Sequence, residues 1–141
     1  MKKFLLKSLA MLLTLAFILS CASLAISAVS YVAGTNGASS SYKAGKYYSQ
    51  LSQIPLTGNQ RQDLVAVAMS QLQYMESNSS SDLSGETGGS SNYTEFCYNF
   101  GYDIGSNYAW CAAFVTWSLR QAGINKVGTG SEYYARANSA Y

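Results

Sequence analysis

Apolar residues first gather near the N-terminus. Lys2, Lys3 and Lys7 precede a run from Ser8 to Ser20 that carries Leu9, Met11, Leu12, Leu13, Leu15, Phe17, Ile18 and Leu19. Small residues follow at Ala22, Ser23, Ala25, Ser27 and Ala28. Basic, then apolar, then small is the order of a secretory signal peptide, expected to be helical over 5–20. The run is shorter than the roughly 20 residues a spanning helix needs, and no stop-transfer charges follow it. Residues 1–28 are therefore assigned to an export signal cut between Ala25 and Ala28. The product is placed outside the cell or in the cell wall, touching membrane only through that segment.

Beyond Ala28 the pattern changes three times. Residues 29–58 are rich in Ser, Gly, Ala and Tyr with no lasting helical period, which describes a flexible spacer; its Tyr-rich piece, Tyr42 to Tyr48, is the part suited to packing on a neighbouring domain. At Asn59 a helix is expected to start, with Asn59 as cap and Gln62 three residues on. Leu64, Val67, Ala68, Gln71, Leu72 and Met75 then follow helical spacing, and Val65 and Met69 widen the face. This predicts a largely buried helix over 60–75. Residues 78–92 are Ser- and Gly-rich, with Leu83 as the exception, and predict an exposed, mobile loop. Tyr93 to Ala109 is aromatic and punctuated by glycine, with a short helix or turn expected near Thr94 to Phe100. A second strong helix is predicted over 110–122. Its apolar face comprises Cys111, Phe114, Val115, Ser118, Leu119 and Ala122, and Gly123 stops it. A last helix is expected over 131–140, and any β-structure is expected to be marginal.

Charge excludes one class of function. Without Lys2, Lys3 and Lys7, six basic residues face seven acidic ones, a net charge near −1. No basic patch remains to bind nucleic acid. Asp82 and Glu86 lack the alternating oxygen ligands of a calcium loop, so no metal or other cofactor is implied. Cys21 follows Ile18-Leu19-Ser20, a box like that of lipoproteins, although Leu19 is bulky for its place. Cys97 and Cys111 persist in the mature chain, either as thiols or as a disulfide. The sequence contains no histidine.

Candidate chemistry centres on Cys111, in the first turn of the 110–122 helix. Free amides and the helix dipole favour negative charge there, and the thiolate is the attacking form of cysteine. The plain alternative is a small core residue on the apolar face.

The stretch Trp110-Cys111-Ala112-Ala113-Phe114-Val115-Thr116-Trp117, followed by Arg120-Gln121-Ala122-Gly123-Ile124, resembles the nucleophile helix of CHAP-type amidases. These belong with the NlpC/P60 enzymes among papain-like cysteine hydrolases. Val65-Ala66-Val67-Ala68-Met69-Ser70-Gln71-Leu72, with Tyr74 and Glu76, resembles the family's opening helix and its Gly-Tyr-x-Glu signature, except that Gln73 replaces the glycine. Asn92-Tyr93-Thr94-Glu95-Phe96 resembles the Asn-Tyr-Thr-Glu-Tyr segment upstream of the cysteine. The likeness runs from Asn59 to Ile124. It implies an α+β fold, with residues 59–141 as a partial domain holding mainly its helical N-terminal half and lacking the sheet.

The resemblance also implies hydrolysis of peptidoglycan, at the glycan–peptide amide or within the stem peptide. Cys111 would be the nucleophile and its backbone amide one oxyanion donor. Tyr108 or Asn107 is placed to give a second donor, although Tyr108 also suits plain packing. Trp110, Asn92 and Tyr93 are candidate substrate contacts, and aromatic residues at such spacing equally suit a core. The family's histidine and third residue lie on strands after the nucleophile helix, and residues 125–141 offer neither. A truncated, inactive chain is expected on this reading. Its rivals are an exported wall-binding or structural protein without chemistry, and a small protein closed by a Cys97–Cys111 disulfide.

Overall fold

A computed structural model describes residues 28–34, 36–101 and 110–124. The helices expected over 5–20 and 131–140, and the candidates Asn107 and Tyr108, lie outside them. The described part is helical: α1 (Ser40–Ala44), α2 (Lys46–Ser52), α3 (Gln60–Ser70), α4 (Glu95–Asn99) and α5 (Cys111–Gln121). Among the described residues, β-structure is limited to two isolated antiparallel bridges, Ala28 with Pro55 and Ser77 with Tyr93. None of these helices is long and apolar enough to cross a membrane.

The segment expected to be a spacer is part of the fold. Residues 28–34 and 36–39 belong to a non-helical strap, here the 28–39 strap, and α1 and α2 follow it. Val29, Tyr42, Tyr47, Leu51 and Ile54 are all buried in the core. Two helices of five and seven residues, broken at Gly45, are too short to show a helical period. Their aromatic residues are fixed by tertiary packing. Tyr42 stands 5.7 Å from Tyr48 and 6.3 Å from Trp117, ring centre to ring centre. Tyr74 stands 5.2 Å from Tyr47 and 4.5 Å from Phe96. Edge and tilted contacts of this kind add to the plain burial of aromatic area.

Helix α3 begins as expected. The Asn59 side chain accepts from the amides of Arg61 (3.2 Å) and Gln62 (3.3 Å). The return half of the capping box is not made by Gln62: the Asn59 amide donates to Thr57 Oγ1 (3.1 Å), and Asp63 ties down the residues before the cap. Its carboxylate takes the Thr57 amide (2.8 Å), the Thr57 hydroxyl (2.8 Å) and the Gly58 amide (2.9 Å). The Thr57 amide leads these bonds in holding the Asp63 carboxyl below its usual range.

The helix ends at Ser70, five residues before the expected end at Met75, and it is not largely buried. Its inner stripe is Asp63, Val67 and Gln71, while Val65, Met69, Leu72 and Met75 lie exposed. Tertiary demands set the end. Buried Gln71 accepts from the Tyr42 hydroxyl (3.2 Å) and donates to the Tyr47 carbonyl (3.3 Å). Gln73 then turns into the left-handed region at φ 68°. This delivers Tyr74 to the core, where a continued helix would carry it elsewhere.

The 78–92 loop is exposed over much of its length, as expected, and is also tied down at several points. Leu83 is fully buried, a gain of about 1.5–3 kcal/mol over an exposed side chain. Its amide donates to Ser41 Oγ (2.9 Å) and its carbonyl accepts from the Tyr74 hydroxyl (2.7 Å). The Met75 amide donates to the Gly85 carbonyl (3.0 Å). Gly85 has φ 79°, and a Cβ there would stand 2.2 Å from the Tyr74 ring. Both facts require glycine. Asn78 closes the loop base by accepting from the Ser90 amide and the Ser91 hydroxyl. The polar side chains thus serve one another, and Leu83 is the loop's buried apolar anchor.

Helix α5 matches its predicted span within a residue at each end. Gly123, at φ 71°, ends it. The Ile124 amide then donates back to the Leu119 carbonyl (2.9 Å) and the Gly123 amide to that of Arg120 (3.0 Å), a Schellman closure.

Candidate functional site

Cys111 is the first residue of α5 and is exposed. The residue before it, Trp110, makes no capping hydrogen bond with its side chain. First-turn amides without such a cap, together with the helix dipole, favour an anion.

The buried face of α5 only partly matches the expected one: Ser118 and Ala122 are buried and Phe114 and Leu119 pack against the core, but Cys111 and Val115 are exposed. Ala113, Thr116, Trp117, Ser118 and Gln121 point inward, while Val115 is 56% exposed. Trp117 and Gln121 decide this, because the core needs the large ring and the strap needs the amide. Cys111 is therefore not a core filler. Cys97 is: it is buried in α4, and burial pushes its thiol up, with Thr94 opposing and a charge on Cys111 adding. Both cysteines are free thiols.

Trp110 is fixed from across the fold. Its indole Nε1 donates to Glu76 Oε2 at 2.7 Å. Its ring stands 5.9 Å from Phe96 and 6.4 Å from Phe114. With Met69, Leu72, Tyr74, Phe96 and Phe114 it walls a cavity of about 280 Å³. The lining is mostly apolar, and the cavity lies one residue from the thiol. Asn92 and Tyr93 do not line it. Both are half-buried; Asn92 has φ 58°, and Tyr93 pairs with Ser77 by amide–carbonyl bonds of 2.9 and 3.4 Å. Through Ser77, Tyr93 sits beside the segment that carries Glu76, and neither residue is cavity wall.

Sequence reasoning placed Glu76 in a motif but did not foresee its bond to Trp110. No spacing rule links residues 34 apart in the chain. Among the described residues, no group of three or more His, Cys, Asp or Glu side chains is placed to hold a metal ion. The arrangement offers an accessible sulfur at a helix start, an adjacent aromatic wall and an apolar cavity. No family model, curated protein or solved structure matches the chain.

Proposed function

We propose that this chain carries the nucleophile half of an exported, papain-like cysteine hydrolase of CHAP type, acting on amide bonds of bacterial peptidoglycan. The observation that carries the reading is Cys111: an exposed thiol opening α5, next to a tryptophan pinned by Glu76. A second observation supports the resemblance. Gln73 stands where the family signature has glycine, and it adopts φ 68°, a conformation that glycine takes without strain.

In the proposed reaction the Cys111 thiolate attacks an amide carbonyl. The oxyanion is held by the Cys111 amide and a donor upstream, the amine leaves with a proton, and water releases the acyl group from sulfur. The proton is the difficulty. General acid–base help contributes about 10²–10⁴-fold, and none of the 141 residues is a histidine. The chain on its own is therefore expected to alkylate readily at Cys111 but not to turn over. That same lack of histidine favours, as a second reading, a wall-binding protein without chemistry.

The test is the alkylation rate of each thiol by iodoacetamide in the native chain, beside peptidoglycan digestion. We expect Cys111 to react at least tenfold faster than Cys97, and muropeptide release to equal that of a Cys111→Ala control. Equal thiol rates would remove the nucleophile assignment. Release above the control would show that the chain needs no imidazole. Fast alkylation together with wall binding that survives Cys111→Ala would favour the second reading.

A further inference from the structure

The most deeply buried acid in the described fold has no part in the chemistry above. Glu95 opens α4 and is 0% exposed. Four donations reach its carboxylate, all from the 28–39 strap. Ser39 gives its hydroxyl to Oε2 at 2.6 Å and shares its amide between the two oxygens at 3.2 and 3.3 Å. The Tyr31 hydroxyl donates to Oε1 at 2.9 Å, and Asn99 of α4 donates to that same hydroxyl. These partners lie 56 to 64 residues away along the chain. Other ties run from the strap to Gln121 of α5. The Val32 amide donates to Gln121 Oε1 (2.8 Å), and Gln121 Nε2 donates to the Val32 carbonyl (3.1 Å). One strap thus links a buried acid to the helix that bears Cys111.

We infer that Glu95 is a proton-operated latch that fastens the 28–39 strap to α4 and α5, tight when Glu95 is protonated and looser when it is ionised. The 2.6 Å contact with Ser39 works in either direction. A protonated Oε2 donates to Ser39 Oγ, whose own hydrogen turns toward Ser41 Oγ, 3.4 Å away. No partner is lost on protonation, and a buried charge is removed. Ionisation keeps the bonds but leaves a carboxylate out of water. The groups facing it from the packed elements are Tyr31 and Ser39 of the strap, Tyr42 and Lys43 of α1, and Tyr74. Lys43 is the cation among them, and it favours the charged form. Burial pushes the Tyr31, Tyr42 and Tyr74 phenols above their ordinary range, so they do not titrate near neutrality.

The sign follows from linkage. Burial outweighs the Ser39 and Tyr31 bonds and pushes the Glu95 carboxyl up to about 7 in the closed fold. An open strap wets Glu95 and returns it to its ordinary value, near 4.5. Closure is fully favoured below the lower value and is lost as pH rises toward the upper one. The open fraction gains up to about tenfold per pH unit in that window.

The experiment is amide hydrogen exchange of the full chain from pH 5 to 8, corrected for the intrinsic pH dependence of exchange. We expect opening of residues 29–39 to rise by at least tenfold across the window and level off above pH 7. In Glu95→Gln the same residues should show no pH slope. A flat wild-type profile, or a slope that persists in Glu95→Gln, would overturn the latch. If Glu95→Gln does not fold, carboxyl-carbon NMR titration of Glu95 in the wild-type chain decides instead. A midpoint above 6 supports the latch, and one below 6 removes it.

Discussion

Removing a single hydroxyl, by Tyr74→Phe, tests how the loop and α4 are held. The hydroxyl donates to the Leu83 carbonyl at 2.7 Å and accepts from the Glu95 amide at 2.9 Å. Both bonds are buried. Phenylalanine keeps the ring and its contacts with Phe96 and Tyr47, so no cavity beyond one oxygen is made. The change therefore isolates two orphaned backbone groups, one donor and one acceptor. Leaving such a buried group unpaired costs about 1–3 kcal/mol. Two of them give about 3 kcal/mol, allowing for partial relaxation. That is a large part of the 5–15 kcal/mol by which domains of this size are typically stable. With a urea dependence of about 1–3 kcal/mol per molar, the midpoint should fall by about 1–3 M at unchanged slope. The assay is equilibrium urea unfolding followed by tryptophan fluorescence, with Trp117 buried in the core as reporter. A loss below about 0.5 kcal/mol would show that water replaces the hydroxyl, and would refute the view that Tyr74 joins the loop to α4.

Two further outcomes follow from backbone geometry and loop packing. Gln73→Gly should hold or raise stability, by up to about 1 kcal/mol, because the left-handed conformation strains a residue with a Cβ; a clear fall in thermal midpoint would contradict this. The 78–92 loop should resist brief native proteolysis, whereas Leu83→Ala should lose about 2–5 kcal/mol and be cut there. Early cleavage of the wild-type loop would show that the Leu83 anchor does not hold it.

How much of this was legible in the sequence depended on the range of the interactions. The start of α3 was legible because Asn59 and the residues it caps lie within one turn. The span of α5 was legible because an apolar period and a terminating glycine are local signals. Cys111 at the helix start could be read for the same reason. The inward face of α5 was legible only in part, at Phe114, Ser118, Leu119 and Ala122, because Trp117 and Gln121 are chosen by partners in the strap and α1. The end of α3 was misjudged because Tyr74 is drawn to the core from an otherwise continuing helical period. The 29–58 segment looked like a spacer, since helices of five and seven residues carry no period and its tyrosines find partners only in the folded chain. Leu83 was visible as an exception in a polar loop, yet its burial depends on Tyr74 and Ser41. Glu95 looked like an ordinary first-turn acid, and only the strap's return across α4 makes it a buried latch. Capping, periodicity and turn chemistry act over a few residues and are written in sequence. Which face is covered, and which charge is taken out of water, depends on contacts 30 to 90 residues apart, and folding alone brings those together.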